Sequence, residues 1–158
     1  MGRFLAFLFV AVAAACAEGS DSPQLIGDLA ISHPLLVEPV TPDAASMYFT
    51  VTNHAVVEDT LLSVSAPFAS GGAIHDVVRD GDQMRMTPVA GVPIPPGASV
   101  RLRPGGLHVM LMNLTRVPAR GEQAAVFLTF RLAGSDSVSF TVVGYAQVEE
   151  RMGKDHPR

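Results

Sequence analysis

Short stretches in which apolar and polar residues alternate fill most of this chain, and this alternation limits its fold more than any other feature. In residues 45–53, Ala45, Met47, Phe49 and Val51 fall on one side of an extended chain, and mostly polar residues fall on the other. That is the pattern of a strand with one buried face. Pro, Gly, Asn and Asp separate the stretches, and no run repeats with the period of a helix. The sequence therefore predicts an all-β protein.

Several further segments have the alternation or the composition of strands. Two more apolar faces are formed by Val126, Leu128 and Phe130, and by Val138, Phe140 and Val142. Shorter strands are expected at 29–32, 61–65, 74–78, 83–86, 100–102 and 107–113. So many short strands in one domain indicate an antiparallel two-sheet sandwich. The proline-rich segment from Pro93 to Gly97 cannot donate a full ladder of hydrogen bonds, so we expect it at a sheet edge or in a crossing loop.

The first residues have the features of an export signal. The apolar run at 4–17 follows Arg3 and is shorter than the ~20 residues that a membrane-spanning helix requires. We therefore expect residues 1–17 to be a signal for export to the periplasm or another extracytoplasmic space. Residues 18–150 are then the β-sandwich domain, and 151–158 form a flexible tail.

Cys16, the only cysteine, lies at the end of the apolar run. The sequence Ala13-Ala14-Ala15-Cys16 resembles the lipobox at which bacterial lipoproteins are cut and lipid-modified, which would anchor the protein to a membrane. Ordinary signal cleavage after Ala15-Cys16-Ala17 fits the same small residues. Under either reading the folded domain contains no cysteine, which excludes a disulfide and a thiolate metal ligand.

Charge and motifs exclude several classes of function. The net charge is -4 and no run of basic residues occurs, so nucleic acid is not an expected partner. The chain also lacks a Gly-x-Ser-x-Gly elbow, a phosphate-binding glycine loop and a His-Glu-x-x-His zinc motif. We therefore do not expect an enzyme.

A hairpin is predicted in the segment 74–86, because Asp80-Gly81 lies between two alternating arms. If Arg79 pairs with Asp82, the register places His75 directly opposite Met86. Opposed side chains on one face have Cβ atoms about 4.5–5.5 Å apart, so an imidazole nitrogen and a thioether sulfur could contact one ion. The segment 107–112 supplies a second group, since alternation places His108, Met110 and Met112 on the face opposite Leu107, Val109 and Leu111.

These residues identify a family resemblance. The chain is similar to the PCuAC periplasmic copper chaperones, whose motif has a His, a Met eleven residues later, a His twenty-two further on and a Met two beyond. His75, Met86, His108 and Met110 match every spacing. The resemblance extends through Met84-Arg85-Met86, Pro95-Pro96-Gly97, Pro104-Gly105-Gly106 and Met110-Leu111-Met112. It implies a cupredoxin-like sandwich in which these four residues bind Cu(I). It also implies delivery to a copper-accepting protein, such as a respiratory oxidase subunit or assembly factor.

The donor types agree with that implication, because thioethers and imidazoles suit Cu(I) better than Zn, Ca or Mg. A blue-copper electron-transfer centre would need a cysteine thiolate, which the folded domain lacks. A structural or adhesive sandwich lipoprotein, in which Met and His only pack, is the alternative.

Six other Met and His residues have weaker assignments. We expect Met84 and Met112 to cover the site without binding the ion, and His33 and His54 to be exposed loop residues. Met152 could contribute to a second copper site with His156, although a short tail gives little support for this.

Overall fold

The computed structural model describes residues 22–81 and 83–152. The predicted signal at 1–17, Cys16 and His156 lie outside the described residues. Within the described part, eleven strands and one helix follow in the order β1 Gln24–Ile26, β2 Leu29–Val37, β3 Ala44–Asn53, β4 Asp59–Ser65, β5 Ala69–Asp80, β6 Gln83–Pro88, β7 Val92–Ile94, β8 Ser99–Leu102, β9 His108–Leu114, β10 Gln123–Phe130, β11 Gly134–Val143 and α1 Tyr145–Met152. The all-β prediction is confirmed.

The strands form one continuous hydrogen-bonded path that does not close. Its order is β6-β5-β9-β3-β2-β11-β10-β4-β7, with β1 paired to β2 and β8 paired to β3. All pairs are antiparallel except β2 with β11, which are parallel. The consecutive strands β4 and β5 lie far apart along this path yet contact each other, and the backbone of Gly72 lies close against that of Val64. The path therefore folds over on itself as the predicted sandwich.

The interior of the sandwich is the set of apolar faces that alternation predicts. Ala45, Met47, Phe49 and Val51 of β3 are all buried, as are the predicted faces of β10 and β11. Phe49 packs edge-on against Phe140, with ring centroids 5.5 Å apart. Burial of these alternate residues drives the strands into layers, since apolar area removed from water is the main favourable term in folding.

The helix α1 was not expected and encloses a second, smaller cluster. Its buried residues Val148 and Met152 are four positions apart and pack with Leu35, Tyr48 and Val143. An apolar stripe of only two residues is too short to show a helical period in the sequence.

The predicted tail at 151–158 must be corrected where the structure describes it. Arg151 and Met152 form the end of α1, and residues 153–158 lie outside the described residues. Met152 is buried in the small cluster, so its side chain is occupied by packing rather than available at the surface.

The two edge strands of the path differ in their exposure to solvent. β7, in the proline-rich segment, pairs with β4 alone among the described strands, which confirms an edge position for it. Its residues Val92 and Ile94 are buried. β6, at the other end, is exposed along its whole length.

None of the described helices is long and apolar enough to cross a membrane.

His33 is exposed as expected, but it lies within β2 rather than in a loop. The register of β2 against β3 shifts between Ser32 and Leu35, and His33 has a φ of 51° there. Pro34, which cannot donate to the ladder, falls inside this irregularity. His54 is exposed and outside the strands, as predicted.

Candidate metal site

Three neighbouring strands bring most of the predicted site residues together. β9 lies between β5 and β3, and its residue His108 is directly opposite His75 of β5. Met110 is opposite Ala73 on one side and Ser46 on the other. The alternate residues of β9, Val109 and Leu111, are fully buried in the core. The predicted division of this strand into an aliphatic core face and a His-Met face is therefore confirmed.

The predicted register of the β5–β6 hairpin is wrong by two residues. His75 is opposite Pro88, and Met86 is opposite Val77, because Asp80 pairs with Gln83 instead of Arg79 pairing with Asp82. Gly81 is the first loop residue and has a φ of 63°, a conformation that glycine adopts without steric cost. A shift of two residues keeps every side chain on its original face. Met86 thus remains on the face of His75, as a diagonal neighbour.

The two ring nitrogens of His108 have different partners. Nδ1 lies 2.8 Å from the carbonyl oxygen of Gly106, and Nε2 lies 3.3 Å from Sδ of Met86. A carbonyl only accepts hydrogen bonds, so in the neutral imidazole Nδ1 carries the hydrogen and donates it to Gly106. The lone pair of Nε2 is then directed at the sulfur of Met86, which has no hydrogen to offer. Two donor atoms that suit a soft metal therefore face each other.

The imidazole of His75 lies beside that of His108. Their ring centroids are 5.8 Å apart and the planes are inclined by 27°. Nδ1 of His75 is buried and has no hydrogen-bond partner among the described residues. Buried polar atoms are nearly always paired, so an unpaired ring nitrogen at this position calls for a ligand.

Met110 is held by a side chain that the sequence did not identify. Oγ of Ser46 donates a hydrogen bond to Sδ of Met110 at 3.2 Å, in a half-buried position. Ser46 lies on the outer face of β3, and only the pairing of β3 with β9 shows that it neighbours the site. The carbonyl of Gly106 was missed for a similar reason, because backbone groups leave no signal in residue type.

Exposure differs strongly across the four residues. His108 is 5% exposed, while Met86 is 56% exposed. His75 and Met110 are intermediate. One side of the arrangement is therefore set into the sheet, and the side formed by β6 is open to solvent.

The remaining methionines on these faces lie around the arrangement. Met84 is 60% exposed and opposite Arg79, and Met112 is 37% exposed between Gly71 and Ala44. The described part of the chain has no group of three or more His, Cys, Asp or Glu side chains that could hold a metal ion. The arrangement thus differs from a zinc or calcium site, since its donors are two imidazoles and two thioethers.

A family model described as "Putative lipoprotein LpqE-like" matches residues 29–142, which include every strand of the site. The chain belongs to the LpqE-like family. This LpqE-like chain is 28% identical over 91 residues to the "Putative lipoprotein Lxx21020" of Leifsonia xyli subsp. xyli (strain CTCB07). That match covers 57% of the chain and 55% of the relative, so the LpqE-like chain spans about half the length of this curated protein.

Solved PCuAC domains share the fold of the LpqE-like protein. The copper-bound PCuAC domain from PmoF2 superposes with a TM-score of 0.68 at 25% identity, covering 77% of this chain and 97% of that domain. The solution structure of CuI-DR1885 from Deinococcus radiodurans gives a TM-score of 0.59 at 24% identity, over 71% of this chain and 76% of the other. The resemblance to PCuAC domains and the cupredoxin-like sandwich that it implies are confirmed.

Proposed function

We propose that this LpqE-like protein binds one Cu(I) ion through His75, Met86, His108 and Met110 and passes it to another protein outside the cytoplasm. The observation that carries the proposal is the approach of Nε2 of His108 to Sδ of Met86 at 3.3 Å. In the neutral imidazole the hydrogen is on Nδ1, which donates it to Gly106, and the thioether of Met86 has no hydrogen to donate. A metal ion shared by Nε2 and Sδ therefore explains this contact better than a hydrogen bond does.

The chemistry of the four donors supports Cu(I) as the ion. Thioether and imidazole ligands are soft or borderline and carry no charge, which suits a monovalent soft cation. The hydrogen bond from Nδ1 of His108 to Gly106 is the outer-shell contact that usually orients a metal-binding imidazole. The similar solved structures include the copper-bound PCuAC domain from PmoF2 and CuI-DR1885.

Transfer is supported by the openness of the site. Met86 lies on β6, which is an exposed edge strand, so an incoming ligand can approach the ion from that side. A respiratory oxidase subunit or assembly factor is the proposed acceptor, as the resemblance to PCuAC chaperones implies. Lipid on Cys16 would hold the protein at a membrane surface, and the lipoprotein descriptions of the family and of the Leifsonia relative support this attachment.

The test compares two methionines of one strand. Met86→Ala should weaken Cu(I) binding by more than about ten-fold, because even residues that only support a ligand change metal affinity by about 10- to 100-fold. Met84→Ala is the matched control, since Met84 lies on the same face of β6 and is equally exposed. Cu(I) affinity is measured by competition with a chelator, and unfolding by urea confirms that both variants are folded.

The stoichiometry and ligand atoms complete the test. The wild-type domain should bind one Cu(I), with sulfur and nitrogen neighbours visible by X-ray absorption. Equal affinities for wild type, Met86→Ala and Met84→Ala would remove Met86 from the site. An absence of stoichiometric Cu(I) binding by the wild type would favour a structural or adhesive sandwich.

A further inference from the structure

The thioether of Met110 is held by one specific contact. Ser46 and Met110 are cross-strand partners, and Oγ of Ser46 donates to Sδ at 3.2 Å. The partner of Met110 on its other side is Ala73, whose methyl group is too small to fix a long side chain. Met has three rotatable side-chain bonds and adopts many conformations unless something restrains it. The hydroxyl of Ser46 supplies the restraint that packing on the Ala73 side does not.

A buried aromatic ring lies beside Ser46 on the same strand. Tyr48 lies two residues from Ser46 on the same face of β3 and is buried with Val148 and Met152 of α1. Burial raises the pKa of Tyr48, and the nearby hydroxyl of Ser46 partly opposes the rise. Ser46 therefore neighbours both the thioether of Met110 and the buried ring of Tyr48.

We propose that Ser46 is a positioning residue for copper, which holds Met110 in its metal-binding orientation. The inference rests on the proposed function of the site. A thioether sulfur has two lone pairs, and the hydrogen bond from Ser46 occupies one of them, so the ion must use the other. The sulfur is therefore ordered before the ion arrives, and less conformational freedom is lost on binding.

The experiment uses Ser46→Ala, with Ser46→Thr as the variant that retains the hydroxyl. We expect Ser46→Ala to weaken Cu(I) binding by about 3- to 10-fold, the effect of losing one neutral hydrogen bond. This is smaller than the usual effect of losing a partner of a His or carboxylate ligand, because a thioether is a weak acceptor. Ser46→Thr should bind within about two-fold of wild type, because a β-branched residue keeps the hydroxyl and is favoured in strands.

Thr52→Ala is the matched control. Thr52 lies on the same strand and the same face, and its hydroxyl hydrogen-bonds that of Ser99 at 2.7 Å, away from the four metal-binding residues. This variant loses a comparable hydrogen bond, so it should lower stability about as much as Ser46→Ala while leaving Cu(I) affinity unchanged.

A metal-free measurement separates this inference from the proposed function. The methyl group of Met110, observed by NMR relaxation in the copper-free protein, should become more mobile in Ser46→Ala and remain ordered in Thr52→Ala. If the wild type binds Cu(I) and Ser46→Ala matches it in affinity and in methyl order, the positioning role is wrong and the site stands. If the wild type binds no Cu(I), the proposed role of Ser46 in copper binding falls with the site, whatever the methyl order shows.

Discussion

Asp59 is a buried carboxylate that the sandwich stabilises with backbone groups. Its Oδ1 accepts hydrogen bonds from the N–H groups of Thr60 and Leu132, and its Oδ2 accepts one from Ala133. Burial acts to raise the pKa of Asp59, but these hydrogen bonds outweigh it and leave the pKa below its usual value. The charge thereby joins the start of β4 to the turn between β10 and β11.

The lowered pKa of Asp59 makes the free energy of unfolding depend on pH. A carboxylate with a lower pKa in the folded state stabilises the fold above the unfolded pKa of about 4, and this contribution is lost as pH falls through the folded pKa. Asp59→Asn should therefore reduce the free energy of unfolding at pH 7 by about 2 kcal/mol, the scale of hydrogen bonds to a charged group. Its stability should also depend less on pH below about 4 than that of the wild type.

Urea unfolding from pH 7 to pH 3, chosen to bracket the ordinary Asp pKa of about 4, measures both effects. Asp136→Asn is the control, because Asp136 is exposed and also accepts a hydrogen bond from a backbone N–H. Parallel stability curves for the wild type and Asp59→Asn would show that the charge of Asp59 does not contribute.

Single residues of the candidate site were predictable only in part. The types and spacings of His75, Met86, His108 and Met110 identify them in the sequence, and their faces follow from alternation. The separate roles of the two nitrogens of His108 depend on a backbone carbonyl and a strand far away in sequence. The part played by Ser46 depends in the same way on a pairing between strands that local patterns do not encode.

At the scale of elements, local alternation predicted the strands well and their pairing less well. The faces of β3, β9, β10 and β11 are as expected, because burial of one face governs them. The hairpin register was wrong because the turn can begin at Asp80 or at Gly81, and both choices leave the same faces buried. The helix α1 was missed because its stability comes from packing on Tyr48 and Leu35 rather than from its own sequence.

β5 contains two adjacent glycines whose surroundings differ. A Cβ atom on Gly72 would overlap the carbonyl group of Val64 in β4. One on Gly71 would meet only the side chain of Met112, at ordinary contact distances of 3.5 Å and 3.9 Å. Neither glycine has a positive φ. The close approach of the two layers at Gly72 thus requires a residue without a side chain.

This difference gives an element-scale prediction. Gly72→Ala should lower the free energy of unfolding by about 1–3 kcal/mol, the usual cost of forcing extra volume into a packed region. Gly71→Ala should remain within about 0.5 kcal/mol of wild type, because its methyl group makes an ordinary contact and restricts the unfolded chain. Urea unfolding of the pair provides the measurement. Equal stabilities for the two variants would contradict the close approach of β4 and β5.

At the scale of the whole molecule, copper binding should stabilise the sandwich. A ligand that binds only the folded state adds RT ln(1 + [L]/Kd), or about 2.7 kcal/mol when free Cu(I) is 100 times its Kd. Thermal unfolding of the wild type should therefore shift to a higher Tm on Cu(I) addition. Met86→Ala should have the same metal-free Tm, because Met86 is 56% exposed, but should lose most of the shift. An equal shift in both proteins would place the ion elsewhere.

Among the described strands only β2 and β11 pair in parallel, and this pair lies in the middle of the strand path. Leu35 pairs with Thr141, so an early strand and the last strand of the described chain are neighbours in the middle of the path. Contacts between residues so distant in sequence form slowly, because the long intervening chain must be ordered first. Until β11 is in place, residues 35–37 of β2 have no partner strand on the side away from β3. Docking of β11 onto β2 is therefore expected to be a late step in folding, and it joins the two halves of the strand path.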